Sequence, residues 1–239
     1  MKLKLIVLLG FLFFVSQVHA QETLVLKNQK DKVSYIIGMD IGNNLKKQSV
    51  DVDPNILAKG VKDALAGSKP LLSEQDISET MATFQKEMMA KQEEVAKKNK
   101  NEGETFLNEN KKKEGVKILP SGMQYRVIKA GIGKKPKSTD TVTVHYRGTL
   151  INGTEFDSSY KRGQTVSFPV SGVIPGWTEA LQLMEEGAKW QLFIPSNLAY
   201  GERGAGGVIG PNATLIFEVE LVSIQEKKEN QSEKPATKK

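Results

Sequence analysis

The side chains that could do chemistry are concentrated in three short stretches in the second half of the chain. These stretches are VHYRGTLINGTEFDSS (Val144 to Ser159), VIPGW (Val173 to Trp177) and AYG (Ala199 to Gly201). They place two tyrosines, a phenylalanine, a tryptophan and the carboxylate of Asp157 in segments with the patterns of strands and turns. Large aromatic side chains accompanied by a few polar groups are typical of an apolar ligand pocket.

The same stretches do not contain the residue sets of common hydrolases. The chain has no cysteine, and His145 is its one histidine after the first 20 residues. In a strand, the side chain of His145 points away from the face of Val144 and Tyr146, so we expect it to pack or to face solvent. A Ser-His-Asp or Cys-His arrangement is therefore not available. The sequence also has no cluster of metal ligands, and we expect neither a metal nor a cofactor.

A glycine-rich run, GERGAGGVIG (Gly201 to Gly210), follows the third stretch and is called the flap below. Its composition invites comparison with phosphate-binding loops. The GxGxxG spacing fails, because Ile209 occupies the position of the last glycine when the motif starts at Gly204, and no helical pattern follows. We predict a flexible loop beside the pocket.

The elements that must position these residues have the pattern of an antiparallel α+β unit over residues 115–226. Four segments are β-branched and alternating, and turn residues separate them. The predicted strands are Gln124 to Lys129, Thr141 to Tyr146, Gln191 to Ile194 and Thr214 to Ile224, and a short helix is predicted at Trp177 to Met184. We expect the sheet to wrap around this helix. The Lys- and Glu-rich tail, residues 227–239, is predicted to be disordered.

Helical patterns precede this unit. In residues 21–72, apolar residues recur at spacings of three and four from Val33 to Leu45, with a weakening end at Gly42. A second helix is predicted to begin at Asp53 as N-cap, with Pro54 at its first position.

Residues 73–114 are predicted to form one long connecting helix, from the N-cap Ser73 to about Lys112, with Asp76 as the capping partner of Ser73. The second half of this helix is almost wholly polar. We therefore predict a stalk that crosses solvent, with Gly103 as a weak point.

The helices before residue 90 carry too few apolar residues for a stable core of their own. Such a deficit is met by association, in which two copies supply each other's missing faces. We predict a homodimer whose seam contains Ile36, Ile37, Ile41, Phe84 and Met88. The cluster of Met81, Met88 and Met89 is interpreted as part of this seam. A surface that binds unfolded clients is the alternative, since methionine serves both purposes.

Residues 1–20 have the pattern of a secretory signal. Lys2 and Lys4 precede an apolar run, Leu5 to Val15, that is too short to span a bilayer, and Ala20 suits signal peptidase. A retained membrane anchor is the alternative. Without cysteine a lipoprotein anchor is excluded, and we expect an exported protein, in the periplasm or at the outer membrane or cell surface. The formal net charge is +6, but Lys and Glu are interleaved, which does not favour nucleic-acid binding.

Several motifs together resemble a known family. VHYRG, FDSS, VIPGW, LAYGERGAGG and ATLIFEVEL occur in the order found in the FKBP-type peptidyl-prolyl cis-trans isomerase domain, so Lys117 to Gln225 resembles that domain. The segment KVSYIIGMDIG, Lys32 to Gly42, with the long helix after it, is similar to the N-terminal dimerisation region of the macrophage infectivity potentiator-like branch, to which the periplasmic FkpA-like proteins belong.

The resemblance implies a proline-binding pocket with specific members. Its catalytic residues would be Asp157, Tyr200 and Tyr146. Its substrate-binding residues would be Phe156, Val166, Phe168, Val173, Ile174, Trp177, Val208, Ile209 and Phe217. Trp177 would form the floor, and Val208 and Ile209 would lie on the flap. Val166 stands where the family often has an aromatic wall, and Ala205 where some members have a larger flap side chain. These two departures leave the exact substrate preference open and do not affect the fold.

The same resemblance implies an exported, V-shaped homodimer that accelerates X-Pro bond rotation during folding and also holds unfolded clients. Its partners would be unfolded or proline-containing polypeptides, and macrolides would bind its pocket. The sequence leaves two alternatives open. One is a chaperone that binds proline-containing segments with little turnover, and the other is a host-interaction protein that uses the exposed stalk.

Overall fold

The computed structural model describes residues 25–225 of the 239-residue chain. Within these residues the fold consists of two compact units, the first ending at Asp51 and the second beginning at Val52. The predicted signal and the predicted tail lie outside the described residues. None of the described helices is long and apolar enough to cross a membrane.

The first unit contains one described helix, α1 (Gln29–Lys47), and no residue of this helix is buried. A capping box starts it: the Asn28 side chain accepts from the Asp31 N–H at 3.0 Å, and the Asp31 carboxylate accepts from the Asn28 N–H at 3.3 Å. The prediction of a weakening end at Gly42 is wrong. The helix continues past it because a glycine inside a helix costs only about 1 kcal/mol.

The second unit opens with α2 (Pro54–Leu65), which starts as predicted. The Asp53 carboxylate accepts hydrogen bonds from the N–H groups of Asn55 and Ile56 at 2.7 and 3.2 Å. Proline at the first helical position loses no hydrogen bond, because the N–H groups there have no helical partner. Gly67 follows the last turn with a φ of +63°, a conformation that suits glycine and ends the helix.

Helix α3 (Glu74–Asn110) has 37 residues and is about 55 Å long at a rise of about 1.5 Å per residue. Its predicted capping box is confirmed. The Ser73 hydroxyl oxygen accepts from the Asp76 N–H at 3.1 Å, and the Asp76 carboxylate accepts from the Ser73 N–H at 3.3 Å. The helix ends at Asn110, close to the predicted end at Lys112.

The prediction of a solvent-crossing stalk is wrong for the last part of α3. Asn99, Gly103, Phe106 and Asn110 recur at spacings of four, three and four residues, which places them on one face of the helix. This face contacts the sheet domain, and Gly103 and Asn110 are buried in the contact. The sequence pattern conceals the contact because two of the four residues are amides, one is glycine and only one is apolar.

Polar and apolar contacts alternate along this face. The Asn110 amide donates to Gln124 Oε1 at 3.0 Å, and the Gln124 amide donates to the Leu107 carbonyl at 2.9 Å. The ring of Phe106 lies 6.0 Å from the ring of Phe193. The buried amides of Asn110 and Gln124 are therefore both hydrogen-bonded inside the interface, which removes much of the cost of burying them.

Seven strands form one antiparallel sheet in the described part of the chain. They are β1 (Val116–Ile118), β2 (Gln124–Lys129), β3 (Thr141–Leu150), β4 (Glu155–Ser158), β5 (Val166–Pro169), β6 (Lys189–Ile194) and β7 (Leu215–Gln225). Their order is β1-β2-β6-β7-β3-β4, and β5 also pairs with β3. The four predicted strands correspond to β2, β3, β6 and β7. The other three have only three or four residues, too few to show an alternating pattern.

Helix α4 (Pro175–Leu183) packs against one face of the sheet. Its buried residues Trp177, Ala180 and Leu181 join side chains of β3, β6 and β7 in one core. Gly176 marks the closest approach, because a Cβ atom there would lie 2.6 Å from Ile194 Cγ2. The predicted α+β class, a helical N-terminal region followed by a sheet wrapped around a short helix, is confirmed.

The contact between α3 and the sheet domain makes the domain boundary testable. A chain that begins at Glu114 loses the cover of Phe193 and the amide partner of Gln124, whereas one that begins at Ala90 keeps both. We expect the shorter chain to have a free energy of unfolding lower by about 2 to 4 kcal/mol and a Tm lower by about 10 °C. Thermal unfolding followed by circular dichroism measures the difference.

The control for this comparison is Glu104→Ala in the longer chain, since Glu104 is exposed on the same helix. We expect its Tm to match that of the unchanged longer chain. Equal stability of the two truncated chains would contradict the interface described here.

Candidate active site

A single open pocket collects most of the residues that the sequence singled out. It has a volume of about 440 Å³ and lies between α4, the strands β3, β4, β5 and β7, and two loops. Its lining consists of Tyr146, Phe156, Asp157, Phe168, Gly172, Val173, Ile174, Trp177, Tyr200 and Phe217. All of these except Gly172 are predicted site residues.

Trp177 forms the floor of the pocket from the first turn of α4. Pro175 occupies one of the first two positions of this helix, so the chain turns into the helix just ahead of the indole. Three rings stand nearly perpendicular to the indole: Tyr146 at 5.3 Å and 86°, Phe217 at 5.3 Å and 83°, and Phe168 at 6.0 Å and 85°. Edge-to-face contacts of this kind are favourable and fix the ring planes.

Neighbouring strands supply the walls. Tyr146 follows Val144 on the buried face of β3, and Phe217 of β7 lies directly opposite Gly148 of β3. Gly148 provides space for the aromatic wall: a Cβ atom there would lie 2.6 Å from the Phe156 ring and 2.7 Å from the Phe217 ring. A side chain at position 148 would therefore push both rings into the pocket.

The polar side of the pocket is a closed set of hydrogen bonds, here called the carboxylate lock, made by Tyr146, Asp157 and Arg162. The Tyr146 hydroxyl donates to Asp157 Oδ2, and Arg162 Nη1 donates to Asp157 Oδ1. Arg162 Nη2 donates to the Tyr146 hydroxyl oxygen at 2.8 Å, and its guanidinium lies 5.6 Å from the centre of the Tyr146 ring. Both carboxylate oxygens are thus engaged within the protein.

The carboxylate lock shifts the pKa values of Asp157 and Tyr146 in opposite directions. Partial burial opposes ionisation of Asp157, but the hydrogen bonds from Tyr146 and Arg162 outweigh it and hold the pKa of Asp157 below 3.8. Burial, reinforced by the hydrogen bond to Asp157, raises the pKa of Tyr146 above 10.0. At neutral pH the carboxylate is charged and the phenol keeps its proton.

Arg162 is the site residue that sequence reasoning missed. It lies in the turn after β4, ahead of Gly163, which has a φ of +71°. An arginine in a polar turn has no pattern that distinguishes it from a solvated surface residue. The available signal is its spacing of five residues from Asp157, with a turn between them that brings the two side chains together.

Three predicted substrate-binding residues do not line the pocket in this structure. Val166 of β5 is partly buried against the core. Val208 is 43% exposed on the flap, and Ile209 is buried in the core at the end of the flap. A direct contact between these residues and substrate stays a prediction. Tyr200, which lines the pocket, is 40% exposed, and its hydroxyl makes no hydrogen bond within the described part of the chain.

His145 is placed away from the pocket, as its strand position predicts. Its ring stacks on Tyr160 at 4.8 Å, and its Nδ1 lies 3.1 Å from the Ser159 hydroxyl. The role in packing that the sequence favours for His145 is confirmed.

Family models match the chain over most of its length. Residues 30–127 match the domain amino terminal to FKBP-type peptidyl-prolyl isomerase. Residues 133–222 match FKBP-type peptidyl-prolyl cis-trans isomerase itself, and all ten pocket residues fall in this range. The chain belongs to the FKBP-type peptidyl-prolyl cis-trans isomerases, and the predicted enzyme class is confirmed.

Relatives in the family narrow the assignment. The outer membrane protein MIP of Legionella longbeachae is 50% identical over 210 residues, which cover 86% of this chain and 90% of that protein. The peptidyl-prolyl cis-trans isomerase Mip of Coxiella burnetii is 46% identical over 206 residues, covering 84% of this chain and 90% of that protein. The predicted relation to the MIP and FkpA branch is confirmed.

A solved structure supports the same relation. The crystal structure of FkpA from Escherichia coli aligns with a TM-score of 0.60 at 42% identity, covering 84% of this chain and 99% of that chain. The likeness therefore extends over the helical region as well as the sheet domain.

The pKa shifts of Asp157 and Tyr146 predict how kcat/KM depends on pH. We expect kcat/KM for a proline tetrapeptide to be constant between about pH 5 and 9, where Asp157 is ionised and Tyr146 is protonated. Because the folded-state pKa of Asp157 is depressed, the stabilisation by the lock is present above the unfolded pKa and is lost as pH falls through the folded pKa. Arg162→Gln removes a bond that lowers this pKa, so the acid limb should move to higher pH.

The matched control is Arg203→Gln, which removes an exposed guanidinium on the flap. Its acid limb should coincide with that of the unchanged protein. An acid limb that stays in place in Arg162→Gln would contradict the coupling between Arg162 and Asp157.

Proposed function

We propose that the pocket accelerates rotation about X-Pro bonds through binding alone, with Trp177 as the floor beneath the proline ring. One observation carries the proposal: three aromatic rings surround Trp177, and the one carboxylate of the lining is already engaged by Tyr146 and Arg162. Such a lining suits a proline ring. It offers no activated nucleophile, and none is needed, since no bond is broken.

The physical chemistry of the amide explains how such a site accelerates rotation. The barrier is about 18 to 20 kcal/mol, because the twisted amide loses the resonance of the planar one. The twisted carbonyl and nitrogen have also lost the charge separation of the planar amide. A water-poor apolar site favours the twisted form over the planar form, and only this difference in binding speeds the reaction.

Two roles were open for Asp157: to fix the Tyr146 hydroxyl, or to face the rotating carbonyl. The carboxylate lock supports the first. A carboxylate that accepts from both Tyr146 and Arg162 holds the tyrosine ring as a wall of the pocket. It is also held ionised, so it does not donate a proton to the substrate.

Tyr200 is assigned the role of substrate hydrogen-bond donor. Its hydroxyl has no hydrogen-bond partner within the described part of the chain, as is also true of the buried Trp177 Nε1, and Tyr200 is 40% exposed at the pocket. A phenol in this state can donate to a carbonyl oxygen of the bound peptide and hold the segment while the X-Pro bond turns.

Substitutions in the polar set test these roles. We expect Asp157→Leu and Tyr200→Phe each to lower kcat/KM on a proline tetrapeptide by about tenfold. Tyr200→Phe removes one hydrogen bond to the substrate, and Asp157→Leu releases the Tyr146 ring that forms a wall of the pocket. A protease-free isomerisation assay measures the rates, and far-UV circular dichroism should be unchanged. A macrolide that fills the pocket should inhibit the unchanged protein.

The control is Tyr160→Phe, which removes a phenol hydroxyl that lies 3.2 Å from Glu220 outside the pocket. This variant should keep full activity. Full activity in both Asp157→Leu and Tyr200→Phe would remove those residues from the mechanism.

We also propose that the protein works after export, as a homodimer that holds unfolded polypeptides. The name of the Legionella longbeachae relative, an outer membrane protein, supports export, as does the predicted signal in residues 1–20. The observation that favours a dimer is the exposed apolar face of α1, where Ile36, Ile37 and Ile41 are 56%, 54% and 39% exposed. An apolar stripe of this kind on a helix without buried residues requires a partner.

A charge in this face tests the dimer. Ile37→Asp would place an unpaired charge in the seam at a cost of several kcal/mol, so the variant should sediment as a monomer. It should also suppress aggregation of a slowly refolding client less well, because the two binding sites are no longer linked. Tetrapeptide turnover should be unchanged, since the pocket lies wholly within residues 146–217.

The conservative control is Ile37→Leu, which keeps the face apolar and should remain a dimer. A wild-type protein that is already monomeric at micromolar concentration would contradict the proposal. So would a dimer that survives removal of residues 21–90, because the contact would then lie in the isomerase domain.

A further inference from the structure

The flap and α3 meet at a point that the catalytic account does not use. The Asn99 side chain donates from Nδ2 to the Pro211 carbonyl at 2.8 Å, and the bond is partly buried. Asn99 and Pro211 are separated by 112 positions in the sequence. This hydrogen bond ties the connecting helix to the residue that immediately follows the flap.

The contact is close, and a side chain at Gly210 would displace the Asn99 amide. A Cβ atom on Gly210 would lie 2.9 Å from Asn99 Nδ2 and 3.5 Å from Val95 Cγ1. Gly103, one helical turn further on, approaches Thr214 so closely that a Cβ atom on it would lie 2.3 Å from the threonine hydroxyl. Helix α3 therefore rests on both Gly210 and Thr214, the two ends of the short segment that returns from the flap to β7.

The same segment is bonded to the other end of the flap. The Asn212 N–H donates to the Gly201 carbonyl at 2.8 Å, which closes the loop, and Gly201 directly follows Tyr200. Inside the loop, Ala205 and Ile209 exchange backbone hydrogen bonds at 2.8 and 3.0 Å. Hydrogen bonds and neighbouring positions in the chain thus connect the helix to the pocket through Asn99, Pro211, Asn212, Gly201 and Tyr200.

We propose that Asn99 is a positioning residue for the isomerase pocket, which it serves by fixing the return segment of the flap and, through it, the backbone of Tyr200. The Tyr200 hydroxyl has no protein partner in the described chain, so its place in the pocket depends on its backbone. The flap contains five glycines and has little stiffness of its own. The hydrogen bond from Asn99 restricts the base of the flap before peptide binds. Tyr200 therefore loses less conformational entropy on binding.

The test compares full-length variants of Asn99 that remove, replace or keep its amide donor. Asn99→Asp keeps the shape of the side chain but presents a carboxylate oxygen to the Pro211 carbonyl, and Asn99→Ala removes the side chain beyond Cβ. We expect KM for a proline tetrapeptide to rise about threefold to tenfold in both, with kcat within about twofold of the wild-type value. Hydrogen exchange of the Asn212 amide should become faster. Asn99→Gln, which keeps an amide donor, should lie between Asn99→Ala and the wild type.

The charge-matched control is Asn101→Asp, at an exposed position of the same helix. It should have wild-type KM and exchange. Wild-type KM in Asn99→Asp would overturn the proposal, and so would faster exchange without a change in KM, since the contact would then stabilise the loop without positioning the pocket. An equal rise of KM in Asn101→Asp would also overturn it, because charge on the helix would be the cause.

Discussion

The structure depends on the perpendicular packing of three rings around Trp177. Tyr146, Phe168 and Phe217 come from three different strands, and each stands within 4° to 7° of perpendicular to the indole. This arrangement requires the sheet to curve around α4 and requires Gly148 to have no side chain. It also leaves an open volume above the indole, because rings set edge-on cannot close over its face. The pocket is therefore a consequence of how the core is packed.

The carboxylate lock places polar groups in this apolar pocket at little cost in free energy. Asp157 is neutralised by Arg162 and bonded to Tyr146, so the pocket contains a charged group without presenting an unpaired charge to the proline ring. The lock keeps the Tyr146 ring upright against Trp177, which joins the polar set to the aromatic set. Catalysis by binding alone requires such rigidity, because a wall that adapts equally to planar and twisted amides favours neither.

Much of the fold and the site could be predicted from sequence, where local chemistry is sufficient. The N-caps Asp53 and Ser73 follow from side chains that bond to neighbouring backbone, and the pocket residues follow from motifs in a recognisable order. The misses arise where a residue's role depends on a contact that no residue pattern encodes, whether the partner is near or far in sequence. Arg162 acquires its role from a turn that brings it to Asp157. The docked face of α3 resembles a solvated helix, because Asn99 and Asn110 bond to residues of the sheet domain that no local pattern reveals.

The central claim is that X-Pro rotation in this pocket involves neither bond formation nor proton transfer. The most direct measurement is the rate at which a proline tetrapeptide relaxes from cis to trans in the presence of the wild-type protein. The rate is measured without protease, once in H2O and once in D2O. If binding alone speeds the rotation, the rate should lie far above the uncatalysed rate, and kcat/KM should be the same in both solvents. Absence of acceleration, or a kcat/KM in D2O lower by about twofold or more, as expected when a proton moves in the transition state, would contradict this claim.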